Sequence, residues 1–328
     1  MKRRTIILMT FIANVLVANA QNIEEMYFNA RGSFAADWHT TSMDKGFRGE
    51  NFNFVMAGQL ADNLSYRIRQ RLNKNITNKT PFNATDFLYI SWKLNNKLTF
   101  SFGKQEIYIG GFEYDYAPID VYYWSEGWGT LPESYSFATS MFYHFNDEQQ
   151  IIFQISNSPF YNAYSDNMSY NLAWFGQIAP WWKTIWSINE SEFGKSNFQN
   201  IISLGNRFEL NNWYLETDFV NRYNSNDKCD FLFSHWGMVG KLNYTCQNYN
   251  FFVKASYDND NSFTNNLSWG DYNHTSAGCG VEYYPKNNKN LRLHAVYHFT
   301  NIDDPKVSNS KINTFLVGAT WKLNIIKK

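Results

Sequence analysis

Only three cysteines occur in 328 residues, Cys229, Cys246 and Cys279, and their spacing forms neither a metal-ligand set nor a dense disulfide framework. Charge of one sign is missing as well: 29 Lys and Arg stand against 29 Asp and Glu. Residues 1–20 carry three of the positive charges and no acid, so the chain after them has 26 against 29, a net charge of −3. A general nucleic-acid binder is basic, and this composition excludes one. Long hydrophobic runs are also lacking. Beyond residue 20 no apolar stretch approaches the roughly 18 residues that a membrane-spanning helix needs. No Gly-x-Ser-x-Gly, Walker or His-Glu-x-x-His pattern occurs, which removes the commonest signatures of hydrolases, nucleotide-binding proteins and zinc proteases.

What the chain has is aromatic rings: 12 Trp, 22 Tyr and 28 Phe, 19% of all residues. Mean hydropathy is nevertheless −0.48. Many rings in a polar chain suit a transmembrane β-barrel, in which lipid-facing and lumen-facing residues alternate and aromatic girdles mark both interfaces. The first twenty residues read as an export signal. Lys2, Arg3 and Arg4 precede the apolar "TIILMTFIANVLV", and Ala18-Asn19-Ala20 supplies a small-x-small cleavage site before Gln21.

Alternating runs predict sixteen strands, centred near residues 31, 54, 68, 89, 101, 140, 153, 173, 185, 204, 216, 238, 253, 279, 295 and 317. Eight long polar connections (39–48, 73–83, 106–134, 159–168, 190–197, 222–230, 258–272 and 300–310) alternate strictly with seven short ones. Outer-membrane barrels keep that parity, with short periplasmic turns and long extracellular loops. A β-sandwich or propeller has no reason to keep it. The predicted fold class is therefore all-β, a transmembrane antiparallel barrel of about 16 strands over residues 21–328. Trp92, Phe145, Trp181, Trp182, Trp213, Tyr244, Tyr284 and Trp321 fall near the short turns or the C-terminus, where they would mark the periplasmic interface. Cys229 then lies at the extracellular end and Cys246 at the periplasmic end, which rules out a disulfide between them.

With the apolar parity toward lipid, the opposite parity brings Arg31, Arg67, Arg69, Arg71, Lys93, Lys183, Arg207, Lys241, Lys254, Arg292 and Lys322 to the lumen. Fewer acids match them: Asp37, Glu209, Glu216, Asp218 and Glu282. "SYRIRQRLNK" sets Arg67, Arg69 and Arg71 at every second position. Three such charges on the lipid face would cost about 2–4 kcal/mol each at mid-depth, so they face water. One reading makes the column an anion-attracting filter; the other pairs each charge with a neighbouring strand. The third long connection carries Glu106, Glu113, Asp115, Asp120, Glu126 and Glu133 and no Lys or Arg. Its length and rings predict an ordered segment. Gly110-Gly111 permits the sharp turn that would fold it into the lumen as a constriction; packing as a lid on the rim is the alternative.

Residues 102–126, "FGKQEIYIGGFEYDYAPIDVYYWSE", resemble the strand-and-loop region of the phosphate-selective porin O and P superfamily, in the broad form common in Bacteroidetes. The resemblance rests on Gly103-Lys104-Gln105 at the strand end and on Gly110, Gly111 and Glu113 at the loop entry. It implies a sixteen-stranded passive channel in the outer membrane of a Gram-negative bacterium, often trimeric and sometimes anion-selective. Two features depart from the family: this third loop is purely acidic, and the chain ends "WKLNIIKK" without a terminal aromatic residue. Phosphate-binding residues are therefore not carried over.

Enzymatic readings find little support. Ser140 and His144 share a strand and a face, but four residues of strand separate them by about 13 Å, and the same holds for His294 and His298. No plug domain for a TonB-dependent transporter is present. The sequence predicts a porin that passes small polar or anionic solutes, with outer-membrane lipid around it and no cofactor, metal or nucleic acid; the homotrimer is what the resemblance implies. The alternative is a closed barrel that serves as an adhesin or scaffold through its loops.

Overall fold

The computed structural model describes residues 22–39, 42–76, 81–129, 134–160, 166–193, 197–224, 231–260, 272–303 and 311–328. Within them run sixteen strands: β1 (Ile23–His39), β2 (Met43–Ala61), β3 (Leu64–Arg71), β4 (Thr85–Lys93), β5 (Leu98–Glu106), β6 (Tyr135–Asn146), β7 (Gln149–Asn157) and β8 (Met168–Ala179) form one half. The other half is β9 (Trp182–Glu192), β10 (Phe198–Leu210), β11 (Trp213–Asn224), β12 (His235–Cys246), β13 (Tyr249–Asp260), β14 (Tyr272–Tyr283), β15 (Leu291–Asp303) and β16 (Lys311–Lys327). Each strand pairs antiparallel with its sequence neighbours, and β16 returns to β1, from Glu25 opposite Lys327 to His39 opposite Ile312. Closure leaves no unpaired strand edge, which is the condition for a sheet to cross lipid.

Alternation along each strand decides which way side chains point. In β16, Phe315, Val317, Trp321, Leu323 and Ile325 are exposed while Thr314 and Leu316 are buried. In β13, Phe251, Val253 and Tyr257 are exposed and Phe252, Lys254, Ser256 and Asp258 are buried. A band of exposed large apolar side chains around a barrel is a lipid-facing surface. Trp92 against Phe100, Trp181 against Trp182, and Trp213 against Tyr244 pack ring against ring beside the short turns. Cys279 is exposed and Cys246 half-buried, both as free thiols; Cys229 and residues 1–20 lie outside the described residues.

Two details differ from the sequence expectation. The first predicted loop, 39–48, is mostly strand, because β2 begins at Met43 and its first residues pair with β1 as Trp38 opposite Met43 and Ala36 opposite Lys45. Above the bilayer both faces meet water, so the hydrophobic alternation fades while backbone pairing continues. Tyr284 is not a girdle residue. Its hydroxyl donates to Glu282 at 3.0 Å and its ring faces the interior.

Inward-facing positions are not uniformly polar. Ile201, Val220 and Val239 pack with Ile107, Ile109, Tyr114 and Trp128 of the third long connection. A second cluster sets Ala35, Phe252, Val296 and Leu316 against Tyr123. The core of this protein therefore lies between one connection and the inner wall.

Candidate functional site

The arginine column has a partner that strand parity hides. Leu88, Ile90 and Trp92 face outward, so strict alternation would send Asp86 to lipid. Instead the register slips: Arg69 lies opposite Phe87, and Gln70 opposite Thr85. Asp86 is the extra residue of a β-bulge, which re-aims its side chain inward. It is 3% exposed, and its Oδ2 accepts from Arg69 Nε at 2.9 Å and from Arg71 Nε at 2.8 Å. Arg67 lies 3.6 Å from Glu25. The Phe87 and Tyr135 rings sit 4.1 and 4.9 Å from the Arg69 guanidinium. A bridging carboxylate and ring faces thus offset the like-charge crowding of the column.

The third connection is fastened to inward side chains around most of the barrel. It contains two short helical turns, α1 (Phe112–Asp115) and α2 (Glu126–Gly129), with a 3₁₀ turn between them at Pro118–Asp120. At its base Gln154 of β7 donates to the Glu106 carbonyl at 2.9 Å, and Asn189 of β9 donates to that of Tyr108 at 2.9 Å. The Gly110 amide donates to Ser187 Oγ at 2.7 Å, and Ser203 Oγ donates to the Gly110 carbonyl at 2.6 Å. A side chain at Gly110 would meet the Ile185 carbonyl at 2.7 Å, so glycine serves close approach to β9 here. Gly111 adopts φ of 116°, which opens the turn into α1. Asp218 of β11 then accepts from the Phe112 and Glu113 amides, each at 2.8 Å. Arg31 of β1 donates to the carbonyls of Ile119 and Val121 at 2.8 and 2.9 Å. Gly127 donates to Asp258 of β13 at 2.8 Å.

The loop acids meet wall cations directly. Glu113, 6% exposed, pairs with Lys254, and it also accepts from the Ser125 hydroxyl at 2.6 Å. Asp120 lies 3.0 Å from Arg292, whose other Nη is 3.3 Å from Glu282. Glu126 reaches His274 at 3.9 Å. Glu106 closes β5 opposite Tyr135. Asp115 touches water, yet the protein crowded around it raises its carboxyl above the ordinary value, with the Arg207 guanidinium opposing. Glu133 lies outside the described residues. Among the remaining wall cations, Lys183 pairs with Glu209 at 2.8 Å and Arg207 with Glu216 at 2.8 Å. Lys93 is exposed at the turn end of β4. Lys241 sits 4.5 Å over the Tyr116 ring, and among the described residues it has no ion-pair partner.

Several cavities border the connection. One, about 200 Å³, lies between it and β11–β15; another, about 160 Å³, lies between it and Arg71 and Tyr135. A third, about 410 Å³, lies between Phe112 and the turn ends of β6–β9. The first two share one lining residue, Tyr116. Its hydroxyl donates to Glu216 at 2.6 Å and accepts from Arg207 at 3.0 Å. Burial, then the Glu216 carboxylate, pushes this phenol far above its ordinary range, so it remains a donor at working pH. Sequence reasoning missed Tyr116, Asp86 and Glu50, the last of which pairs with Arg31. An aspartate at a lipid-facing parity was the available signal for Asp86.

The family profile described as phosphate-selective porin O and P matches residues 26–196. The chain belongs to the phosphate-selective porin O and P family. Solved structures agree on the fold of this porin. An anion-selective porin from Comamonas acidovorans is 8% identical with a TM-score of 0.65, covering 91% of this chain and 98% of that one. The outer membrane channel DcaP of Acinetobacter baumannii is 11% identical at 0.66, covering 91% and 96%. OmpT of Vibrio cholerae, in its trimer form, is 12% identical at 0.62, covering 90% and 98%. No curated protein matches by sequence. The porin is an outer-membrane channel of the Gram-negative envelope.

Proposed function

We propose that this porin passes small hydrophilic solutes down their gradients, with the 107–128 segment as its constriction. The observation that carries the reading is the pair of cavities on the two faces of that segment, with Tyr116 between them. Diffusion through such a path needs no chemical step and no cofactor. The arginine column on its own would favour anions, but Asp86 and Glu25 compensate it, and the loop acids compensate Lys254 and Arg292. Weak ion selectivity is the expected consequence, because charged linings select by their uncompensated charge.

Planar-bilayer recording of the refolded mature chain tests the proposal. Discrete conductance steps with a reversal potential near zero in a salt gradient are expected. A homotrimer, on the precedent of the trimeric OmpT, would insert as one unit and close through three equal sublevels. A barrel that never conducts would instead fit the scaffold reading.

A further inference from the structure

We propose that residues 231–233 form an apolar clip that folds over the outside of the barrel wall and seats its side chains among the acyl chains of the outer leaflet. The inference concerns the lipid side of the wall and is independent of what the channel passes.

Along β11 the outward parity carries Trp213, Leu215, Phe219 and Tyr223, while Glu216, Asp218 and Val220 are buried on the inner side. Asn221 shares the outward parity. It lies eight residues along the strand from Trp213; at roughly 3.3 Å per residue and a tilt of about 35–45°, it stands about 20 Å above the periplasmic girdle. The apolar band of such a barrel is about 25 Å tall, so a bare carboxamide at this height would meet hydrocarbon near the top of the outer leaflet. An amide placed there is costly unless its hydrogen bonds are made within the protein.

Asn221 is in fact covered, at 1% exposed. Its Nδ2 donates to the Phe231 carbonyl at 2.9 Å, and its Oδ1 accepts from the Phe233 amide at 2.8 Å. One side chain thereby pins a short segment to the outer wall. The rings agree, with Phe231 packed on Tyr223 at 5.1 Å and Phe233 on Phe219 at 5.9 Å between centroids. Phe233 takes a φ of 66°, a conformation that a bulky residue rarely adopts. The bond from its amide to Asn221 holds it there.

Phe231, Leu232 and Phe233 are 47, 46 and 64% exposed. Three consecutive large apolar side chains this open mark a surface that is covered by something other than water. They continue the lipid-facing band: Phe219 packs near Trp236, Trp236 near Tyr257, and Met238 below them is exposed. From Phe231 to Met238 the one titratable side chain is His235, which is buried on the inward parity of β12. Continuity with that band and the lack of charge select acyl chains as the partner, and the height suits an apolar segment lying at the boundary of headgroups and chains.

Power-saturation electron paramagnetic resonance tests the assignment, with a nitroxide at Leu232→Cys in the refolded barrel that also carries Cys229→Ser, Cys246→Ser and Cys279→Ser. Val253→Cys on the lipid-facing band and Asn95→Cys at a short turn calibrate the scale. The expected result is that oxygen, which partitions into lipid, relaxes the label at Leu232→Cys more than a water-soluble nickel chelate does, as at Val253→Cys. Adding Asn221→Ala frees the segment and shifts the ratio toward the value at Asn95→Cys. Phe233→Cys gives a second label position if Leu232→Cys does not refold. Relaxation dominated by the nickel chelate would overturn the inference, and so would exclusion of both reagents, which would put the segment against protein, as in a contact between copies. A lipid-like ratio that Asn221→Ala leaves unchanged would overturn the clip.

Discussion

Asp86 shows how much one side chain decides. Its carboxylate is the counter-charge for two arginines in a partly desolvated niche, and removing one partner of such a cluster strands the others. Asp86→Asn is expected to lower stability by about 2–3 kcal/mol in urea unfolding of the lipid-embedded barrel. The same variant should shift the reversal potential toward anion preference, since Arg69 and Arg71 lose their shared partner. Asp115 behaves in the opposite sense. Its carboxyl is raised above the ordinary value by the protein packed around it, so as pH falls it loses its negative charge before ordinary carboxylates do. The reversal potential should therefore shift toward anions on mild acidification. In Asp115→Asn, reversal potential measured against pH should be flat through that first step. Neither role was legible in the chain alone. Parity assigned Asp86 to the wrong face because a bulge is a local departure from the period on which the assignment rests, and Asp115 was only one of six acids until its surroundings were known.

At the level of elements, every predicted strand centre falls within one of the sixteen strands, because a barrel wall between lipid and water imposes a period of two that composition cannot blur. Strand ends were less legible. Where β1 and β2 rise past the bilayer, Lys45, Gly46 and Arg48 carry no hydrophobic signal although they pair as strand. The anchoring surface for the third connection did leave a trace: Val220, Val239, Phe252, Val296 and Leu316 are apolar at the inward parity, where an open lumen would have polar residues. Apolar residues on both parities of consecutive strands mark a wall that something covers. The fit at β9 is tight enough to test. Gly110→Ala places a methyl group against backbone atoms of Ile185 and Ser187, and overpacking of this kind costs about 1–3 kcal/mol. The variant should detach the connection from β9 and make residues 107–128 more susceptible to limited proteolysis, while the barrel itself stays folded.

Taken as a whole molecule, the barrel is asymmetric inside. Polar side chains of β7–β9, among them Gln154, Asn171 and Asn189, hydrogen-bond to one another and to the base of the connection. On the opposite side, β11–β15 meet its middle through ion pairs and tyrosines around a cavity of about 200 Å³. Charge on the wall holds the connection in place. Single-channel recording of the refolded chain over residues 21–328 tests the account most directly. It predicts discrete steps of stable conductance with weak ion selectivity. A folded barrel that gives no steps, or one with strong anion selectivity that persists when Arg67, Arg69 and Arg71 are all changed to Ala, would contradict it.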